Sequence, residues 1–245
     1  MLHTGYVLIT GASHGIGRAT ARLFAGHGYP LILNGFHSPD ALEALGEEIR
    51  RQYRISCETT VGDAGDAAYV QDLFAGLTAR DISPEILVNN AGMAHIGLFQ
   101  DMSPEEWQHI LNTNLTSCFL FCKGAIPLML RRGGGSIVNV SSVWGNVGAS
   151  CEVAYSATKG GINAMTRALA KELAPSRIRC NAAAFGAIDT AMNHFLDAEE
   201  TAALLGEIPA GRLGTPEEAA ALIYDLAVAH PYLPGQVITM DGGWT

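Results

Sequence analysis

Short apolar runs alternate along the chain with longer segments whose apolar residues recur every three or four positions, the marks of buried strands and amphipathic helices. The runs Tyr6–Thr10, Leu31–Asn34, Ser56–Thr60, Ile86–Asn89, Ser136–Ser141, Arg179–Ala183 and Gln236–Met240 predict strands. Most lack strict alternation, as expected where both faces of a parallel sheet are covered. Helices are predicted near 15–27, 38–53, 65–79, 103–131, 153–173 and 215–229. Ser103-Pro104-Glu105-Glu106 and Thr215-Pro216-Glu217-Glu218 read as capping boxes with proline at the first helical position, and Ser38-Pro39-Asp40 opens a helix in a similar way. Strand, helix and strand at this spacing predict right-handed βαβ units. Stacked together they give an α/β fold, a doubly wound parallel sheet of about seven strands with helices on both faces.

The rhythm breaks once. Residues 185–212 form an insertion before the last helix, helical over Asp197–Leu205. It is expected to act as a substrate lid, since open α/β folds bind ligands at that edge and long loops usually carry function. No Pro/Gly/Ser-rich linker and no repeat divides the chain, so residues 1–245 read as one domain. Hydrophobic residues make up 48% and charged residues 16%, against about 25% charged in average domains, which points to a large buried fraction. The 28 glycines follow no three-residue period, which excludes a collagen-like chain. A net charge of −9 lacks the basic footprint of a nucleic-acid binder. Five cysteines with no Cys-x-x-Cys pair argue against a disulfide framework or zinc site, and no metal is expected. Met1 leads almost directly into the first strand with no basic segment before it. Lys123 and Pro127 interrupt the apolar stretch from Phe119 to Leu130. Neither a signal peptide nor a membrane span is therefore expected, and the chain reads as cytoplasmic.

The first strand runs into Thr10-Gly11-Ala12-Ser13-His14-Gly15-Ile16-Gly17 and then a helix. That arrangement gathers backbone N–H groups and the positive end of a helix dipole at one point, a site suited to a pyrophosphate. The spacing departs from G-x-G-x-x-G, so alone it is a weak signal. At the end of the second strand, Asn34-Gly35-Phe36-His37-Ser38 has no acid to bind a ribose 2′-hydroxyl. Asn34, His37 and Ser38, with His14, could instead surround a 2′-phosphate with donors.

Further on, Asn89-Asn90-Ala91-Gly92 ends the fourth strand, and Tyr155 and Lys159 stand four apart on one helix face. With Asn114, with Ser142 lying 13 residues before Tyr155, and with the terminal Asp241-Gly242-Gly243, these motifs resemble the short-chain dehydrogenase/reductase family across the whole chain. The resemblance implies a Rossmann-type fold and a nicotinamide dinucleotide, NADP(H) ahead of NAD(H). Gly11, Ser13, His14, Gly15, Ile16 and Gly17 would hold it by the pyrophosphate, with Asp63 near the adenine. Asn90, Ala91 and Gly92 would lie near the adenosine ribose, Tyr155 and Lys159 at the nicotinamide end, and Gly186, Ile188 and Thr190 by the nicotinamide amide. Asn114, Ser142, Tyr155 and Lys159 would be catalytic, and the assembly a homotetramer. The family usually reads Pro-Gly after the sixth strand; Phe185-Gly186 stands here, so a looser turn is expected.

A tyrosine of ordinary pKa, about 10, is a proton donor at neutral pH, and a nearby lysine cation stabilises its phenolate. The implied reaction is hydride transfer from NADPH to a carbonyl. Ile208-Pro209-Ala210-Gly211-Arg212 and Ala170-Lys171-Glu172-Leu173 resemble 3-oxoacyl-(acyl-carrier-protein) reductases, which implies a 3-oxoacyl thioester and an acidic carrier partner. Eight of the 15 basic residues lie between 123 and 179, and apart from Lys159 they could meet such a partner or merely solvate helix ends. Ser141-Ser142-Val143-Trp144-Gly145 and Ala149–Tyr155 resemble another subgroup, reductases of the 5-aminopentanone modification on elongation factor P. There Glu152 would favour a cationic substrate, unless it is a rim glutamate facing water. His95, Trp144, Glu152, His194 and Phe195 are the expected substrate pocket. An alcohol or polyol dehydrogenase and a catalytically silent dinucleotide sensor are the other readings; the complete Asn-Ser-Tyr-Lys set weighs against the sensor.

Overall fold

A computed structural model describes residue 3, residues 5–193 and residues 197–245. Strands β1 (Tyr6–Ile9), β2 (Leu31–Gly35), β3 (Cys57–Val61), β4 (Pro84–Asn89), β5 (Gly135–Ser142), β6 (Ile178–Phe185) and β7 (Val237–Met240) form one sheet. Their order is β3-β2-β1-β4-β5-β6-β7 and every pairing is parallel. The helices are α1 (Gly15–Gly26), α2 (Pro39–Tyr53), α3 (Ala67–Ala79), α4 (Pro104–Leu111), α5 (Ser117–Arg132), α6 (Trp144–Val147), α7 (Val153–Leu173), α8 (Ala198–Glu207) and α9 (Pro216–Val228). The strand order reverses between β1 and β4, the switch point where such sheets bind ligands beyond their C-terminal ends.

The missing alternation has a direct cause. Val7, Leu8 and Ile9 are all fully buried, but successive side chains point to opposite faces. Val7 and Ile9 pack with Phe24, Leu45 and Ile223 under α1, α2 and α9, whereas Leu8 packs with Phe74, Phe121 and Ile137 under α3 and α5.

Three expectations change. The helix predicted over 103–131 is α4 and α5 joined by a π-helical turn, Asn112–Thr116. Within that 29-residue stretch an 18-residue window reaches a mean hydropathy of 1.2, enough by length and composition to cross a membrane despite Lys123 and Pro127. In the fold its Phe121, Cys122, Ala125 and Met129 are buried against the sheet. The turn after β6 is not loose either. Phe185 pairs with Ser142 on one side and Met240 on the other. The N–H groups of Val143, Gly186 and Gly214 donate to the carbonyls of Phe185, Met240 and Ala187, each at 3.0 Å. Ladder and loop bonds thus hold the backbone where a proline would have restricted it.

Candidate active site

A cleft of about 620 Å³ opens beyond the C-terminal ends of β1, β4, β5 and β6. At one end lies the glycine turn. Gly11 has φ +64°, and a Cβ there would come 2.9 Å from the Ala91 Cα. A Cβ on Gly17 would run into the Gly11 carbonyl. Only glycine permits this approach, which leaves the N-terminus of α1 open to a ligand. Asn90 holds the turn in place. Its amide donates to the carbonyls of Thr10 and Gly11 at 3.0 Å each. The Thr10 hydroxyl in return accepts from the N–H groups of Asn90 and Ala91.

At the other end β5 meets α7. Ser142 and Lys159 are nearly buried, at 6% and 3% exposure, and both line the cleft with Tyr155. The Lys159 Nζ lies 5.5 Å from the Tyr155 ring centroid and donates to the Val140 carbonyl at 2.9 Å. Burial pushes the Tyr155 phenol up to about 12; the Ser142 hydroxyl opposes this and the Glu152 charge adds to it. Burial also lowers Lys159 to about 8. Asn114 sits in the π-helical turn, 1% exposed. Its side chain accepts from the Met93 N–H at 2.8 Å, donates to the Met93 carbonyl at 2.9 Å, and donates to Thr158 at 3.2 Å. The extra residue of the π turn aims Asn114 at the strand-four loop, and a continuous helical period conceals it.

Gly11, His14, Gly15, Ile16, Asn90, Ala91, Gly92, Gly186, Ile188 and Thr190 all line the cleft, as do Trp144 and Glu152. Other expected residues stand apart. Ser13 is buried against Gly35. Asn34 is 1% exposed and spends its amide on the Gly62 carbonyl at 3.0 Å and the Tyr69 hydroxyl at 2.9 Å, so those donors tie β2 to α3 rather than face a phosphate. His37 is exposed and Ser38 half-buried at the start of α2. Asp63 accepts from the Gly65 N–H at 2.8 Å. His95 is not in the cleft wall; its ring lies beside Gly97. His194 and Phe195 lie outside the described residues.

The sequence reading missed Trp244. The turn at Gly242 and Gly243 is held by the Asp241 carboxylate, which accepts from the N–H groups of Gly243 and Thr245. It returns Trp244 to the cleft, edge-on to Trp144 with ring centroids 4.8 Å apart. The Trp244 indole donates to Glu207 of α8 at 3.3 Å. Glu152 is half-buried beside Trp144, and its carboxyl is raised by burial, with Trp144 acting the other way. Glu200 and Leu204 of α8 complete this wall. The basic residues Arg132, Arg177 and Arg179 lie instead around a groove at the N-terminal edge of β4, β5 and β6. Eight-residue β5 separates that edge from Ser142 by roughly 23 Å. Arg132 is paired with Glu85 at 2.8 Å, and Arg179 donates to carbonyls at the end of α9.

Known proteins resemble this chain over nearly its full length. A family model described as enoyl-(acyl carrier protein) reductase matches residues 11–245. An uncharacterized oxidoreductase, YmfI, of Bacillus subtilis (strain 168) is 39% identical over 240 residues, covering 97% of both chains. The 3-oxoacyl-[acyl-carrier-protein] reductases FabG of Aquifex aeolicus and Thermotoga maritima are 37% and 38% identical over 237 residues. They cover 96% of this chain and 95% and 96% of their own. A crystal structure of an Agrobacterium tumefaciens protein, provisionally named a gluconate dehydrogenase, superposes with a TM-score of 0.94 at 34% identity, covering 99% of this chain and 96% of that one.

Proposed function

The chain belongs to the short-chain dehydrogenase/reductase family, and from that premise we propose that it reduces a ketone with NADPH, using Tyr155 as general acid. The family binds a nicotinamide dinucleotide, and the bound cofactor supplies the hydride. The observation that carries the reading is the convergence of Ser142, Tyr155 and Lys159 on one end of a cleft whose other end is the glycine turn. Gly11, Gly15 and Gly17 make room for the pyrophosphate. Lys159 holds the nicotinamide ribose and stabilises negative charge on Tyr155. As the carbonyl carbon gains a C–H bond, its oxygen takes the Tyr155 phenolic proton, while Ser142 donates a hydrogen bond to the same oxygen. Asn114 stations the water that returns a proton by way of Lys159. The absence of an acid at the end of β2, with His14 and His37 exposed nearby, supports NADPH over NADH.

The first substrate reading is a 3-oxoacyl thioester on acyl carrier protein, supported by the named activity of the FabG relatives. A specific observation favours a second, the 5-aminopentanone carried by elongation factor P. Half-buried Glu152 and the Trp144–Trp244 pair put a carboxylate and two indole rings in the cleft wall, a lining that suits an ammonium group. Within one chain, Arg132, Arg177 and Arg179 lie at the opposite edge from the cleft. We read α8 as the lid, and the assembly as a cytoplasmic homotetramer by family likeness. The test is NADPH consumption with acetoacetyl thioesters and with a peptide bearing 5-aminopentanone-modified lysine. Turnover of one but not the other chooses the substrate. NADPH binding without turnover of any ketone returns the silent sensor.

A further inference from the structure

Below the catalytic residues, α7 and β5 are joined by a polar ladder. Asn139 and Ser141 point to the same face of β5, two residues apart, toward the helix that covers it. The Asn139 amide donates to Thr166 at 2.8 Å, and the Ser141 hydroxyl donates to Asn163 Oδ1 at 2.6 Å. Lys159 reaches the carbonyl of Val140, the residue between them, and Tyr155 faces Ser142. Tyr155, Lys159 and Asn163 are spaced by four, one stripe along the helix. Asn163 is 2% exposed and makes a second bond. Its amide donates to Asn146 Oδ1 of α6 at 2.9 Å, and the Asn146 amide donates to Thr239 of β7 at 3.2 Å. Buried polar groups are costly unless paired, so a slip of α7 along β5 would break every rung together. Asn163 is the rung that also ties in α6, the short helix carrying Trp144.

We propose that Asn163 is a positioning residue: it fixes the register of α7 on β5, and so the placement of Tyr155 and Lys159 against Ser142, and it ties that register to α6. The inference rests on Tyr155 and Lys159 being the proton-transfer pair, and Tyr155→Phe tests that premise separately. Asn163→Ala is expected to lower kcat for ketone reduction about ten-fold or more, in line with the cost of small misplacements. The NADPH Kd should rise far less than kcat falls, and the alkaline limb of the kcat profile, set by Lys159, should be displaced. Asn163→Asp keeps an acceptor for Ser141 but loses the donor to Asn146, so it should recover only part of the rate. A wild-type kcat and alkaline limb in Asn163→Ala overturns the proposal. So does a loss of rate equal to the loss of NADPH-binding protein, which is what a merely structural residue would give. If Asn163→Ala does not fold, Asn146→Ala at the exposed end of the chain decides: a displaced limb supports the proposal and an unchanged limb overturns it.

Discussion

The Lys159 ammonium donates to the Val140 carbonyl across 2.9 Å, at a depth where 3% of the residue meets solvent. This single bond does not repay burial, which lowers the lysine from 10.5 to about 8. Between those values the unfolded chain holds a proton that the folded chain has released, so stability rises with pH across that window. Below about 8 the folded protein carries the whole cost. Lys159→Met should therefore stabilise the free protein at pH 7 by up to about 3 kcal/mol and abolish reduction. Denaturant curves at pH 7 and pH 10 check this, the difference shrinking at the higher pH. A less stable variant at pH 7 contradicts it.

On the proposed mechanism the same two groups set the pH dependence of reduction. Tyr155, at about 12, keeps its proton through the neutral range, whereas Lys159 loses its charge near 8. The kcat for reduction should be flat in mild acid and fall as pH rises through about 8. Initial rates from pH 6 to 10 at saturating cofactor give the profile. A rate that climbs through that region would mean the lysine charge is not needed.

Glu152 separates the two substrate readings. Glu152→Gln should reduce kcat/KM about ten-fold for a ketone carrying a quaternary ammonium, a loss on the scale of a partly desolvated charge pair. Its uncharged carbon isostere should change little. Equal effects on both ketones would make Glu152 a rim residue.

The choice of cofactor is tested at the histidines. His14→Ala and His37→Ala should each raise the KM for NADPH several-fold and leave NADH use unchanged, as removal of a phosphate contact would. Asn34→Ala should instead lower stability by about 1 kcal/mol or more, because it unties Gly62 and Tyr69. Parallel losses with both cofactors at the histidines would count against the NADPH assignment.

Strands and glycine turn were legible because burial on two faces and a strand-to-helix turn leave strong local marks. Asn114 was singled out by the family resemblance, but its π-helical turn was not, since one inserted residue barely disturbs a helical period. Helix α6 has four residues, too few to show any period. Trp244 was missed and Asn34 misread for a shared reason. Their roles are set by contacts with Trp144, Glu207, Gly62 and Tyr69, all distant in sequence. His95 follows the loop that bears Asn90 to Gly92, yet its ring lies beside Gly97 and not in the cleft wall.

The most direct test is Tyr155→Phe, which removes one oxygen and keeps the ring. Steady-state NADPH consumption with an accepted ketone should fall at least about 100-fold, the usual loss of a general acid. The NADPH Kd, read by cofactor fluorescence, should hold. A near-wild-type rate with intact cofactor binding would contradict the assignment of Tyr155 as the proton donor.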